Sequence, residues 1–189
     1  MIINKFEGLA VEAGIWEKTN FRSYAWSLVL ITLISALPFF IHSQWITGPI
    51  INAVLIVTLF IGGLRPAIIA SLIPSLMALQ GGLLPVVLAP AIPFIMISNV
   101  ILVLVIDFFC RDKSKITNYW YGLVVGASLK FVFLYFSVDL INKLLLNKNL
   151  SPIISQMMSW PQLITALLGG TMAYLIIKKS NTSTPSTLS

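Results

Sequence analysis

Charge is scarce in this sequence. Asp and Glu together number 6 and Lys and Arg 12, so charged residues make up 10% of the 189, against about 25% in an ordinary soluble domain. That supply cannot cover a water-facing surface. Hydrophobic residues reach 58%, against about 45–50% normally, and the mean hydropathy is +0.95. Cysteine occurs once, at Cys110, which excludes a disulfide framework and a thiolate metal cluster. Histidine also occurs once, at His42, and there is no HExxH pair, GxSxG elbow or Walker-type loop. Metal-assisted hydrolysis, Ser–His acyl transfer and ATP hydrolysis by this chain alone all lack their residues. The expectation is a non-enzyme without a metal or cofactor. The net charge of +6 does not read as nucleic-acid binding, because the basic residues sit at helix ends and no aromatic–basic stripe accompanies them.

What is abundant is long apolar sequence. From Gly48 to Cys110 the only charges are Arg65 and Asp107, and six prolines interrupt the run. In a bilayer such a stretch becomes helices joined by tight turns, whose proline gaps neighbouring helices cover. The whole chain predicts an all-α polytopic membrane protein embedded in lipid, one bundle of six spans over residues 23–178. The spans fall at about Tyr24–His42, Pro49–Gly62, Pro66–Leu84, Val86–Cys110, Asn118–Leu144 and Pro161–Ile177. The second is short for a hydrocarbon core of about 30 Å unless it extends past its ends. Residues 1–22 form an amphipathic lead, with Ile2, Phe6, Leu9, Ala13 and Trp16 on one helical face. An interfacial helix and a disordered tail are the two readings of that lead. A cleavable signal is not expected, since Glu7, Glu12 and Glu17 precede the first span. Residues 179–189 read as a disordered cytoplasmic tail.

Basic residues set the orientation. With the N-terminus cytoplasmic, the inner side holds Lys5, Lys18, Arg22, Arg65, Arg111, Lys113, Lys115, Lys178 and Lys179, and the outer side only Lys143 and Lys148. This positive-inside bias predicts a multi-pass protein with both termini cytoplasmic. Asp107 with Arg111 and Asp139 with Lys143 are acid-then-base pairs at helical spacing, read as structural. Small residues recur every four positions at Ala67, Ser71 and Ser75, at Gly122 and Gly126, and at Ala166/Gly170 and Gly169/Ala173. They let helix backbones approach closely, either inside this bundle or against another membrane protein.

Lys130 lies near the middle of the fifth span, where a charge is costly and faces a cavity or a partner. Asp139, nine residues on, is about 900° of rotation away and so on the opposite face. Lys130 shares its face with Phe133, Leu134 and Ser137. The ammonium either meets an anionic ligand group, or is satisfied by Asn99 or backbone carbonyls, or reaches a membrane face. Threading the spans places Asn52, Gln80, Trp160 and Gln162 in the outer half, with Asn99 and Lys130 near mid-depth. A pocket lined by amides, aromatics and one cation suits a small carboxylated molecule. His42, Gln44 and Trp45 are candidates for its rim.

With these features placed, the chain resembles the substrate-binding S components of energy-coupling-factor (ECF) transporters. The resemblance lies in the size, the six spans, and the central blocks GPIINAVLIV, GGLRPAIIASLIPSLMA and PAIPFIMISNVILV. It implies an ABC-type importer subunit of a prokaryotic cell membrane that captures a vitamin or similar micronutrient from outside. It also implies partners: a transmembrane T component and two cytoplasmic ATPases, with release by toppling in the membrane. Docking in that family often uses small residues at four-residue spacing in the first span. Here those places hold Thr32 and Ala36, a departure that leaves the stripe Ala67, Ser71, Ser75 as the other docking face. A structural scaffold of the MreD cell-shape type is the competing reading, and it would not require a buried lysine beside amides.

Overall fold

A computed structural model describes residues 21–84, 86–111, 116–144 and 156–182, with backbone alone at 21–23, 87, 88, 139, 142–144 and 180–182. Six α-helices and one 3₁₀ segment, and no strand, occur among the described residues. They are α1 (Phe21–Phe40), α2 (Gln44–Gly62), α3 (Leu64–Gln80), the 3₁₀ segment (Val86–Ala91), α4 (Ile92–Cys110), α5 (Ile116–Leu144) and α6 (Trp160–Thr182). The amphipathic lead over 1–20 and the tail beyond 182 fall outside the described residues. Residues 179–182, read from the sequence as tail, continue α6 as helix.

Four stretches are long and apolar enough to cross a membrane: Gln44–Gly62, Ala89–Cys110, Ile116–Val138 and Trp160–Lys179. Tyr24–Phe40 and Leu64–Gln80 are apolar but shorter. The second span is therefore not the short one. It gains a turn at its start and runs through Pro49, which removes the helical N–H donor to the Trp45 carbonyl without ending α2. The third is cut back instead, since Gly81 and Gly82 end α3 at Gln80, with Gly82 at φ 75°. Before α4, prolines at 90 and 93 keep the chain in a 3₁₀ segment until Ile92.

Consecutive helices alternate in direction. The α2–α3 turn is one residue, Gly63, at φ 84° and ψ −177°, a conformation that a side chain would strain. At one end of the bundle Gly62 abuts Ser27 of α1. At the other, Gly81 abuts the backbone of Pro38 and Phe39. Arg65, Arg111, Lys178 and Lys179 are all exposed and share the first of these ends. Asp107 and Arg111 pair there at 4.0 Å, as their spacing predicts, and Arg111 also lies over the Phe108 ring. The Asp139–Lys143 pair lies outside the described side chains.

The central helix is α2, which packs on α1, α3, α4 and α6, most extensively on α6. Its run from Asn52 to Leu59 is buried without a break, as expected of a helix apolar on every side. Lipid offers no hydrophobic gain for helix association, so contact depends on close packing. Gly169 shows how close: a Cβ there would stand 2.6 Å from both Asn52 Cβ and the Pro49 carbonyl oxygen. Gly122 and Gly126 of α5 lie against Ile106, Phe109 and Leu102 of α4 in the same way. Ala67, Ser71 and Ser75 are buried too, so the four-residue stripes are used inside this bundle.

Candidate functional site

The site is built around Lys130, the midpoint of α5 and only 2% exposed. Its ammonium donates to Asn52 Oδ1 of α2 at 2.9 Å and to Asn99 Oδ1 of α4 at 2.7 Å. Both amides are oriented for this from their own side. Asn52 Nδ2 donates to the Gly48 carbonyl one turn back, and Asn99 Nδ2 to the Ser71 carbonyl of α3. One cation thus ties α2, α4 and α5 together, and Asn99 extends the network to α3. An ammonium has three N–H donors, and the third has no protein acceptor among the described residues.

Lys130, Asn52 and Asn99 line a cavity of about 90 Å³. From α2 it takes Thr47, Gly48 and Ile51, and from α3 Pro74, Ser75 and Ala78. Pro74 removes one helical hydrogen bond at this level. Toward the end of the bundle away from Arg65, the wall is made by Leu83 and Leu84, Ala91, and Met157 and Met158. Gln44 and Gln162 complete it, and each donates an amide N–H to the Met157 carbonyl, at 2.9 and 3.3 Å. The lining contains one base and no acid. Among the described residues no group of His, Cys, Asp and Glu is arranged to hold a metal ion.

Of the residues expected from sequence, Asn52, Asn99, Lys130 and Gln162 meet at this cavity, and Gln44 joins them from the rim. Gln80, Phe133 and Trp160 do not line it. Gln80 is exposed at the last position of α3, five residues past Ser75 and so about 140° around the helix from it. Phe133 is half-buried against Phe94, with ring centroids 6.4 Å apart. Trp160 is 65% exposed and packs on Phe131. His42 donates from Nε2 to the Gly81 carbonyl, which fixes the loop after α3, and Trp45 is exposed. Of the docking candidates, Thr32 is exposed and Ala36 half-buried, whereas Ala67, Ser71 and Ser75 face the bundle interior.

The sequence reading missed Thr47, Gly48, Pro74 and the two methionines as lining residues, and placed Ser75 in a packing stripe only. A signal for two of them was present: Thr47, Gly48, Ile51 and Asn52 fall on one face of α2 at i, i+4 spacing. Comparison with protein families, curated proteins and solved structures finds no match to this chain.

Proposed function

We propose that this chain is the membrane-embedded capture subunit of an importer, similar to an S component of an ECF-type transporter. It would take a small molecule bearing an anionic group from outside and pass it through a T component driven by cytoplasmic ATPases. One observation carries the reading: a buried cation, Lys130, held by two neutral amides at the wall of a cavity among five helices. A charge at that depth is costly, and two neutral amides leave it without a counter-charge.

The membrane topology in this proposal is six spans. Leu64–Gln80 has 17 residues, the lower limit of about 17 for a spanning helix, and α1 is of similar apolar length. The bilayer thins slightly, or flanking residues snorkel, to accommodate such helices. The end bearing Arg65, Arg111, Lys178 and Lys179 is cytoplasmic by the positive-inside rule, so the cavity opens toward the outside. Because the α3 stripe is buried, α1 is the proposed docking face. Its Leu28, Val29 and Leu33 are more than half exposed beside Thr32.

Affinity purification from native membranes tests the proposal. Two ATPase subunits and a T component should accompany the chain. Their absence, with cell-wall assembly proteins in their place, would overturn it. So would ATP-driven uptake by this chain alone in liposomes.

A further inference from the structure

We propose that the cavity is a monocarboxylate site that rejects zwitterions and cations. The inference rests on the capture reading above and narrows its substrate class. Two donors that line the cavity have no acceptor within the protein among the described residues: the third N–H of Lys130 and the hydroxyl of Ser75. Ser75 is one turn beyond Ser71, whose carbonyl anchors Asn99, and both Ser75 and Lys130 line the one cavity. Two donors match the two oxygens of one carboxylate.

Charge decides the rest. No acid lies on α2, α3 or α6 or in the 3₁₀ segment. On α4, Asp107 pairs with Arg111 at the far end. On α5, Asp139 is nine residues from Lys130, about 13 Å along the axis. The protein therefore offers Lys130 amide oxygens but no counter-charge, and a buried charge calls for a partner of opposite sign. A single carboxylate supplies it. A ligand ammonium would find no carboxylate here and would face Lys130 itself, so amino acids and amines are disfavoured.

Size bounds the body of the ligand. About 90 Å³ is roughly three-fifths of an apolar cavity of about 150 Å³ that holds benzene. A carboxylate with a short apolar chain fits beside Ile51, Ala78 and Ile95. A longer body has to displace Leu83, Leu84, Met157 and Met158.

The test is a titration of the full chain in lipid nanodiscs with straight-chain acids from acetate to hexanoate, each compared with its amide and its ω-amino acid. At least one acid should bind more than tenfold tighter than both counterparts. Lys130→Met should weaken that acid by roughly 30-fold or more, the loss typical when a buried charge loses its partner. Ser75→Ala should weaken it several-fold without moving the melting temperature of the ligand-free protein. Binding of an amide or ω-amino acid as tight as the acid, no binding by any acid, or an acid affinity unchanged in both variants would each overturn the proposal. If ATPase subunits copurify but the acids fail, the carboxylate assignment alone falls. If the acids bind and no ATPase copurifies, the capture-subunit reading alone falls.

Discussion

Replacing Asn99 by leucine should have opposite consequences depending on whether Lys130 is present. With Lys130 in place, Asn99→Leu keeps the branched side-chain shape but removes the shorter of the two ammonium bonds, at 2.7 Å. A hydrogen bond to a charged group contributes about 1.5–3 kcal/mol, so the variant should lose about that much stability. Lys130→Met acts through two opposing terms. It removes a charge whose placement at the centre of a spanning helix costs about 2.5–3.5 kcal/mol. It also strands the oxygens of Asn52 and Asn99, at about 1–3 kcal/mol each. These nearly cancel, so Lys130→Met alone is a poor diagnostic of stability.

The double variant resolves the matter. Once Lys130 is methionine, Asn99→Leu removes a stranded oxygen, and its effect becomes neutral or stabilising. The coupling energy between the two sites should then be at least about 1.5 kcal/mol. Reversible unfolding of the four proteins in mixed micelles or bicelles measures it. A cost for Asn99→Leu that is the same in both backgrounds, within about 0.5 kcal/mol, would refute the three-helix tie and place the ammonium elsewhere.

Other substitutions probe the packing and the topology. Gly169→Ala brings a methyl to within 2.6 Å of Asn52 Cβ; it should cost about 1–3 kcal/mol and also weaken carboxylate binding, because Asn52 is displaced from Lys130. Full acid affinity in Gly169→Ala would show that α2 and α6 yield without moving the site. Thr58 Oγ1 is the buried side-chain atom without a hydrogen-bond partner among the described residues. Thr58→Val should therefore raise stability by about 1 kcal/mol and leave titrations unchanged, and a lower melting temperature would contradict this. Reporter fusions at Lys113 and Lys179 should read cytoplasmic and one at Lys148 external, whereas an external reading at Lys113 would overturn the six-span proposal.

Much of the centre of the site was legible in the sequence, and much of its wall was not. A charge in mid-span is so costly that Lys130 declares itself from position alone. Asn52 and Asn99 follow, because each is the single amide of its span. Two of the readings open for Lys130 turn out to be compatible: it is held by Asn99, and it also lines a cavity. Where the cavity lining differs from the sequence reading, depth was read without rotation. Gln80 and Trp160 stand at the same end of the bundle as the cavity, yet 100° per residue turns Gln80 away from Ser75, and Trp160 likewise from Gln162 two positions on. Phe133 is close to Lys130 in register, but Phe94 covers it. The methionines are invisible to such reasoning, because Met157 and Met158 reach the cavity from the segment just before α6 rather than from a predicted span.

Under the capture proposal, that segment also bears on what could enter. The Met157 carbonyl is held by Gln44 from α2 and Gln162 from α6, while Met158 is buried with Leu84 and Ala91 in a cluster separate from the main core. Two neutral hydrogen bonds amount to about 1–3 kcal/mol, far less than the energy that packs α2 against α6. The methionine segment is therefore the weak wall of the cavity, and Lys130 with its two amides the strong one. Under the carboxylate proposal, a small acid would fit the cavity as it stands. A larger one would have to displace that wall, and its apparent affinity would fall by the fraction of molecules in which the wall is displaced. Under the carboxylate proposal, selectivity for the charged group and selectivity for length would thus reside in different parts of the chain. The first would belong to Lys130 of α5 with its amides on α2 and α4, and the second to residues 156–159 just before α6, so each could change without disturbing the other.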